Sequence, residues 1–435
     1  MTGFQVSRSV VLLSVLGLGA CSLTASSEDG SDLYMDFERT DGAASSENWL
    51  PDFPDQSDLA IVLDINDEAI IKASTRDARR DALLPQDWLS RVNEAFSGTE
   101  VEDALEVENT YEEWRLVSVR VSPCQTLGLV PGADTDVLCW PTVRLVWQPV
   151  MPDFRLSWGY EVPFYADDRA IHAIYPVHPR YPDGSRAPHR IRDEIRSFLE
   201  SGGNFRNIPS DAVNAFRRAR DSTVEWLLSE VHGLRGDNLP EGSWSGFEVR
   251  PELYAGSLTA REFAESLETF LGEVAQNRDL AEMTAFSLPE GRDPAGTDIW
   301  VFVAFDGNGG DPEQKELTVI GRDSGDELVN MGLSQTVGVG IEDPVVQAEI
   351  DAGNQELEDS LIIEGEDIAR MTDEISDPYE FLVPNTSCAS CHRLNDDLRF
   401  NLHALSGFEN DGVTVSPRVV GDVARDLGWV RSAGF

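Results

Sequence analysis

Two cysteines and a histidine near residue 390 have the types and spacing to hold an iron-containing prosthetic group. They are Cys388, Cys391 and His392, in the order Cys-Ala-Ser-Cys-His. Two thiols at this spacing can form thioether bonds to the two vinyl groups of one porphyrin, and the adjacent imidazole can bind the iron as an axial ligand. In a reducing compartment the same cysteine pair is more often half of a zinc site or a redox dithiol. The compartment therefore decides which chemistry these residues predict.

The N-terminus predicts export from the cytosol. Residues 1–20 carry one basic residue and a mostly apolar run over 10–18, which is too short for a transmembrane helix and is typical of a signal peptide. The four residues 18–21, Leu-Gly-Ala-Cys, resemble the lipobox of bacterial lipoproteins. This resemblance implies that Cys21 is lipidated and that acyl chains anchor the protein in a membrane of the cell envelope. Because Ser22 and not Asp follows, it also implies the outer membrane, with the protein facing the periplasm or the exterior.

The segment around residues 388–392 resembles the small haem-binding segments of c-type cytochromes. The resemblance implies one covalent haem c with His392 as the proximal iron ligand. Class I cytochromes supply a downstream methionine as the distal ligand, but no methionine follows Met371 in this chain. His403 is the nearest substitute, since the ten intervening residues can span about 30 Å if the helix that carries His392 ends before it. Met371 or another remote group, or an open position, are the alternatives.

These alternatives separate three functions. Two occupied axial positions favour electron transfer, whereas an open position with His403 as an acid-base group would allow peroxidase-like chemistry. A third alternative is a binding or structural lipoprotein without haem, in which Cys388 and Cys391 form a disulfide. We expect a monohaem electron carrier anchored to the outer membrane; an electron carrier or a haem-containing binding protein is favoured over a catalyst, and the enzyme question stays open. The whole chain also resembles bacterial envelope lipoproteins that combine a long N-terminal region with one C-terminal haem attachment motif, which implies an architecture but no activity.

The charge of the chain restricts its partners. Among 435 residues, 78 are acidic and 34 basic, which gives a net charge of −44. The only lysines are Lys72 and Lys315. Such a surface repels the phosphates of nucleic acids and anionic lipid head groups, so neither is expected as a partner. The charge serves solvation first, and it would also favour docking of a basic redox protein.

The two remaining cysteines predict a structural disulfide. Cys124 and Cys139 enclose fourteen residues between two strand-like runs. In an oxidising envelope they are expected to pair and to tie neighbouring strands together. A loop of this length corresponds to a stabilisation of about 3 kcal/mol in the chain-entropy description of disulfides.

The apolar patterns predict an α+β fold, with a mixed sheet and helices in a large N-terminal region and a short, mainly helical C-terminal segment. Residues 21–58 are rich in Ser, Asp, Glu and Gly and predict a flexible acidic tether. Residues 59–340 are expected to form one α+β domain, or two subdomains, without recognisable chemistry. Residues 341–435 are expected to form the haem-binding segment, closed by a helix that starts at Ser416-Pro417.

Several elements of the N-terminal region can be placed individually. Strands are expected at 59–63, 116–121, 143–147 and 170–175, long helices from Ser210 to Gly233 and from Thr259 to Val274, and a hairpin that joins 299–305 to 317–320. His172 falls within the last of the four strands. His232 falls at the C-terminal end of the first helix, where the helix macrodipole would favour its charged form.

Overall fold

The computed structural model describes part of the chain. The described residues are 53–64, 67–75, 83, 88, 90–92, 114–126, 139–149, 151–157, 160–164, 170–188, 208–235, 253, 258–276, 279–287, 300–308, 311–315, 318–322, 328–332, 336–339 and 417–435. The helices are α1 (Gln56–Leu59), α2 (Glu68–Ala73), α3 (Ser210–Arg235), α4 (Leu258–Val274) and α5 (Pro417–Ala433). The strands are β1 (Ala60–Val62), β2 (Trp114–Thr126), β3 (Cys139–Pro149), β4 (Met151–Ser157), β5 (Tyr160–Phe164), β6 (Ala170–Pro176), β7 (Glu282–Ser287), β8 (Trp300–Asn308), β9 (Asp311–Lys315), β10 (Thr318–Arg322), β11 (Leu328–Gly332) and β12 (Thr336–Val339).

One large sheet organises the described residues. Its strands follow the order β1-β2-β3-β6-β7-β8-β12, and β9 pairs with the half of β8 that β12 leaves free. Strands β4 and β5 form a separate hairpin, as do β10 and β11. The predicted α+β class is confirmed. Every ladder among these strands is antiparallel, so the sheet is antiparallel and not mixed as expected.

The alternation of side chains gives the large sheet one apolar face. A single row of opposed residues crosses six strands on this face, namely Ile61, Val119, Leu145, Ala173, Met283 and Phe305. All six are buried and belong to the hydrophobic core. Because directly opposed residues share a face, this row fixes the register of the whole sheet: a shift by one residue would turn it toward the opposite side.

Helices α3 and α4 add one stripe each to the same core. In α3 the stripe contains Val224, Leu227, Leu228 and Val231, three or four residues apart and at most 1% exposed. Burial of each such side chain stabilises the fold by about 1.5–3 kcal/mol before entropic costs. The predicted start of α3 at Ser210 is confirmed, but the helix continues two residues past Gly233 to Arg235.

The predicted hairpin exists with a different second strand. Strand β8 pairs with β9, which brings Asn308 opposite Asp311 and leaves two glycines between them. The expected partner, residues 317–320, instead falls largely in β10 and pairs with β11. The apolar residues of β10 indicated a strand, but the short Gly-Gly connection favours the immediately following segment as the partner of β8.

The folded region begins before the expected boundary at residue 59. Asp55 caps α1 in a capping box with Asp58, and both carboxylates lie beside the guanidinium of Arg235. The distances are 3.3 Å from Asp55 and 2.8 Å from Asp58 to Arg235 Nη1. Residues 53–58 are therefore folded, although their acidic composition predicted a tether. The cation that neutralises them lies 177 residues away in the sequence.

Helix α5 lies at the C-terminal end of the described residues. Its predicted start at Pro417 is confirmed, and Val423, Leu427 and Val430 are buried as expected, whereas Val420 is exposed. Among the described residues, these side chains belong to the core formed by the sheet and the long helices.

Candidate functional site

The residues predicted to hold the haem lie outside the described residues. Cys388, Cys391, His392 and His403 fall between β12 and α5, and Cys21 precedes Phe53. The candidate site is therefore built from the side chains of the sheet and of α5, which flank the segment that carries the attachment motif.

The predicted disulfide is present between β2 and β3. Cys124 and Cys139 are bonded, with their Cα atoms 4.8 Å apart, and both are buried. The ladder extends further than expected and pairs Thr126 with Cys139, so both cysteines lie within the strands and not beside them. Next to Cys139, the indole of Trp140 donates a hydrogen bond of 2.8 Å to the carbonyl of Val177.

Arg220 of α3 connects the disulfide to helix α5. Its Nη1 lies 3.7 Å from Sγ of Cys139, and its Nη2 lies 2.7 Å from Oδ1 of Asp221. The guanidinium carbon lies 5.2 Å from the ring centroid of Trp429 on α5, which is within the range of a cation–π contact. Three elements thus meet at one buried cation.

The second face of the large sheet carries most of its charged side chains, and we call it the polar face. A row of opposed residues crosses it from β2 to β9, consisting of Arg120, Arg144, Ile174, Glu282, Asp306 and Glu313. The row is basic on β2 and β3 and acidic on β7, β8 and β9. Directly opposed like charges are destabilising, so this arrangement requires compensating groups from outside the sheet.

Helix α5 supplies such compensation for Arg120. Nη1 of Arg120 lies 3.0 Å from Asp422 Oδ2, and its Nη2 lies 3.8 Å from Asp426 Oδ2. Arg425 lies on the other side of Asp426, with Nη2 3.2 Å from Oδ1. Burial raises the pKa of Asp426, and the two arginines oppose this shift. These contacts hold α5 beside β2.

His172 lies in the next row of the polar face, on the middle strand of the sheet. It is opposed by Val146 on β3 and by Thr284 on β7. The residue retains some exposed surface, but its Nδ1 is buried. Burial, together with the positive charges of Arg144 and Arg120, lowers the pKa of His172 to about 3. Its imidazole is therefore neutral at physiological pH.

The segment that follows β6, the strand that carries His172, is held by both long helices. The backbone amide of Arg180 donates a hydrogen bond of 3.0 Å to Oγ1 of Thr223 on α3. The guanidinium of Arg180 stacks 3.7 Å from the ring centroid of Trp226, and its Nη2 lies 2.8 Å from Glu273 on α4. These contacts fix the position of the strand relative to the rest of the core.

The other described histidines have different surroundings. Nδ1 of His178 lies 3.1 Å from the carbonyl oxygen of Pro179. The ring of His232 packs edge-on against Phe53 at 4.9 Å. Burial and the charge of Arg235 lower the pKa of His232, which is the direction opposite to the one expected from the helix macrodipole.

Comparison with known proteins gives no further constraint on the site. No protein-family model, curated protein or solved structure matches this chain. Within the described residues, no three His, Cys, Asp or Glu side chains are grouped as metal ligands, and no helix is long and apolar enough to cross a bilayer.

The sequence indicated that His172 lies in a strand. It could not indicate the surroundings of His172, because these depend on the register of β3, β6 and β7.

Proposed function

We propose that this chain is a lipid-anchored, monohaem c-type electron-transfer protein of the bacterial cell envelope. The observation that carries the proposal is the disulfide between Cys124 and Cys139. Structural disulfides persist in oxidising compartments, and c-type haem is attached in such a compartment in bacteria. The disulfide thus supports an oxidising compartment for this protein. In such a compartment, the spacing of Cys388, Cys391 and His392 indicates a haem attachment motif.

The disulfide also accounts for the cysteines. Of the five in the chain, Cys124 and Cys139 are bonded to each other, and Cys21 lies in the lipobox-like sequence. Only Cys388 and Cys391 remain, and they have the two-residue spacing of a haem attachment motif. Attachment adds each S–H across a vinyl C=C bond, which forms a C–S and a C–H bond without net oxidation. The step requires free thiols, so a dithiol reductant of the envelope must keep this pair reduced.

The haem, when bound, supplies one-electron redox chemistry, and the rest of the chain positions it. The folded unit contributes strand β12 before the haem-binding segment and helix α5 after it, and the contacts of Arg120 and Arg220 fasten α5. An acidic surface with a net charge of −44 favours a basic redox partner. Membrane attachment is assigned to lipidated Cys21, in the outer membrane.

The proposal is tested by producing the mature chain with a c-type haem maturation system and recording a pyridine haemochrome spectrum. We expect one covalent haem per chain, which is lost in the double variant Cys388→Ser, Cys391→Ser. The matched control is Cys124→Ser, Cys139→Ser, which removes the same number of cysteines and should retain the haem. Wild-type protein without covalent haem would overturn the proposal and favour a lipoprotein with a Cys388–Cys391 disulfide.

A second measurement separates electron transfer from catalysis. A low-spin ferric spectrum without peroxide turnover is expected for an electron carrier, because both axial positions of the iron are then occupied. A high-spin ferric spectrum with peroxide turnover would instead support the peroxidase-like alternative, in which the distal position is open.

A further inference from the structure

The disulfide between β2 and β3 lies at an interruption of their ladder. The regular pairing is broken between Ser122 and Gln125, where two residues of β2 lie opposite one residue of β3. The three residues are Pro123, Cys124 and Pro141. Neither proline has an amide hydrogen to donate to the partner strand. The covalent bond therefore joins the strands beside two positions that cannot donate to a ladder.

The two sulfurs of this bond differ in their access to solvent. Cys124 keeps 6% of its surface exposed, whereas Cys139 is 0% exposed. In thiol–disulfide exchange, an incoming thiolate attacks one sulfur and expels the other. The difference in exposure therefore favours attack at Sγ of Cys124, with Sγ of Cys139 as the leaving group.

The two sulfurs also differ in the charge beside them. Nη1 of Arg220 lies 3.7 Å from Sγ of Cys139, and in the part of the chain that the structure describes it contacts only this sulfur of the pair. Nη2 and Nε of Arg220 donate hydrogen bonds of 2.7 and 2.9 Å to Oδ1 of Asp221. These two bonds fix the orientation of the guanidinium and direct Nη1 toward the disulfide.

The guanidinium supplies what a buried leaving group lacks. A thiolate in buried surroundings is unfavourable, and a neighbouring cation offsets this cost. A sulfur that is more stable as a thiolate leaves faster, and its disulfide is reduced more readily. Asp221 opposes the effect of Arg220, but its side chain is 45% exposed, so water screens its charge, whereas Arg220 and Cys139 are buried.

We infer that the Cys124–Cys139 disulfide is a thiol–disulfide exchange site for a dithiol reductant, with Cys124 as the attacked sulfur and Arg220 as the group that stabilises the departing thiolate of Cys139. In an oxidising compartment the bond remains the resting form. The inference goes beyond the proposed function and does not depend on the haem.

The exchange has two balanced steps. One thiolate of the reductant forms an S–S bond with Cys124 while the bond to Cys139 breaks and leaves a thiolate there. The second thiol of the reductant then loses its proton and attacks the reductant sulfur of this mixed disulfide, which closes the disulfide of the reductant and releases Cys124. Of the two protons of the reductant, one goes to Cys124 and the other to solvent. The reductant loses two electrons and the protein gains two.

Trapping of the mixed disulfide tests the direction of attack. The folded mature chain is treated with a small monothiol, quenched with an alkylating reagent and examined by fragmentation of its peptides in a mass spectrometer. We expect the monothiol on Cys124 and the alkyl group on Cys139, and the same treatment in urea should remove this preference. A monothiol on Cys139, an equal distribution in the folded chain, or reaction only after unfolding would overturn the inference.

Replacement of Arg220 by methionine tests the role of the cation. Methionine keeps most of the apolar stem, and we expect dithiothreitol to reduce the folded variant more slowly than the wild type. The equilibrium constant for reduction should fall by about tenfold or more, because an opposite charge at this distance favours a thiolate by that factor. A tenfold change corresponds to about 30 mV in the reduction potential.

The sign of the change separates this role from a purely structural one. If Arg220 only supported packing, its loss would loosen the fold and speed the reduction. Arg218→Met, on the exposed surface of the same helix, is the matched control and should react like the wild type. Faster or unchanged reduction of Arg220→Met would overturn the inference, and trapping in the wild type decides the question if this variant does not fold. A chain without covalent haem would overturn the proposed function and leave both measurements unaffected.

Discussion

Replacement of Arg120 by methionine tests how helix α5 is held on the sheet. Methionine keeps most of the apolar stem but removes the guanidinium, which lies 3.0 Å from Asp422 and 3.8 Å from Asp426. The side chain of Asp426 is 1% exposed, so in the variant its carboxylate would stay buried with one cation fewer.

The structure sets the expected size of the effect. Removal of one partner from a buried ion pair costs about 3–5 kcal/mol. Arg425 still lies 3.2 Å from Asp426, so we expect the lower end of this range, about 3 kcal/mol at neutral pH. Urea unfolding measures the change, and an unaltered m-value would show that the unfolding reaction is the same. Arg218→Met, on the exposed surface of α3, is the control and should change stability by at most about 0.5 kcal/mol.

The effect should depend on pH in a defined direction. Burial raises the pKa of Asp426 in the folded state, so the folded protein keeps this proton over a pH range in which the unfolded chain has lost it. The contribution of Asp426 to stability therefore falls as the pH rises through that range. Arg120→Met removes a cation that lowers this pKa, which extends the range upward. The deficit of the variant should be smallest near about pH 4 and grow toward neutral pH.

The double variant with Asp426→Asn supplies the decisive comparison. Asparagine has nearly the same shape but no charge, so Arg120→Met should cost about 2 kcal/mol less in that background. An equal cost in both backgrounds at neutral pH would refute the reasoning, as would a deficit that does not change between about pH 4 and neutral pH.

Two further changes test the covalent and steric constraints on the sheet. Replacing both Cys124 and Cys139 by serine should lower the free energy of unfolding by about 3 kcal/mol, measured by urea unfolding against the oxidised wild type; equal stability of the oxidised wild type and the wild type treated with a reductant would contradict this. Gly307→Ala places a Cβ against the carbonyl of Leu280. We expect this change to lower the free energy of unfolding by about 3 kcal/mol, which would be measured as a lower melting temperature. Gly233→Ala, in open space on α3, should instead raise stability by about 0.5–1 kcal/mol, and similar melting temperatures for the two variants would argue against the packing described at Gly307.

The elements that rest on local sequence were predictable. Helix α3 carries apolar residues every three or four positions from Val213 onward, and Pro417 marks the start of α5. Strand β6 is a nearly continuous apolar run. In each case the pattern lies within one element, so periodicity and capping suffice to place it.

The features that depend on distant partners were not predictable. The sequence around Asp55 and Asp58 predicts a flexible tether, because Arg235, the residue that pairs with both carboxylates, is remote in sequence. Helix α5 was assigned to a separate segment because the sequence does not show that Asp422 and Asp426 meet Arg120. The surroundings of His172 follow from strand register, which is a property of three chain segments at once.

The position of α5 has a consequence for the order of biogenesis. Asp422 bonds to Arg120, which lies 302 positions earlier, so the contact between β2 and α5 cannot form until α5 has been synthesised. Such long-range closure is a slow folding step, because a long chain must be ordered before the contact forms. Cys388 and Cys391 precede α5 in the chain and emerge first. Under the proposed function, the two thiols therefore become accessible to the haem-attachment machinery before α5 can complete its contacts with β2.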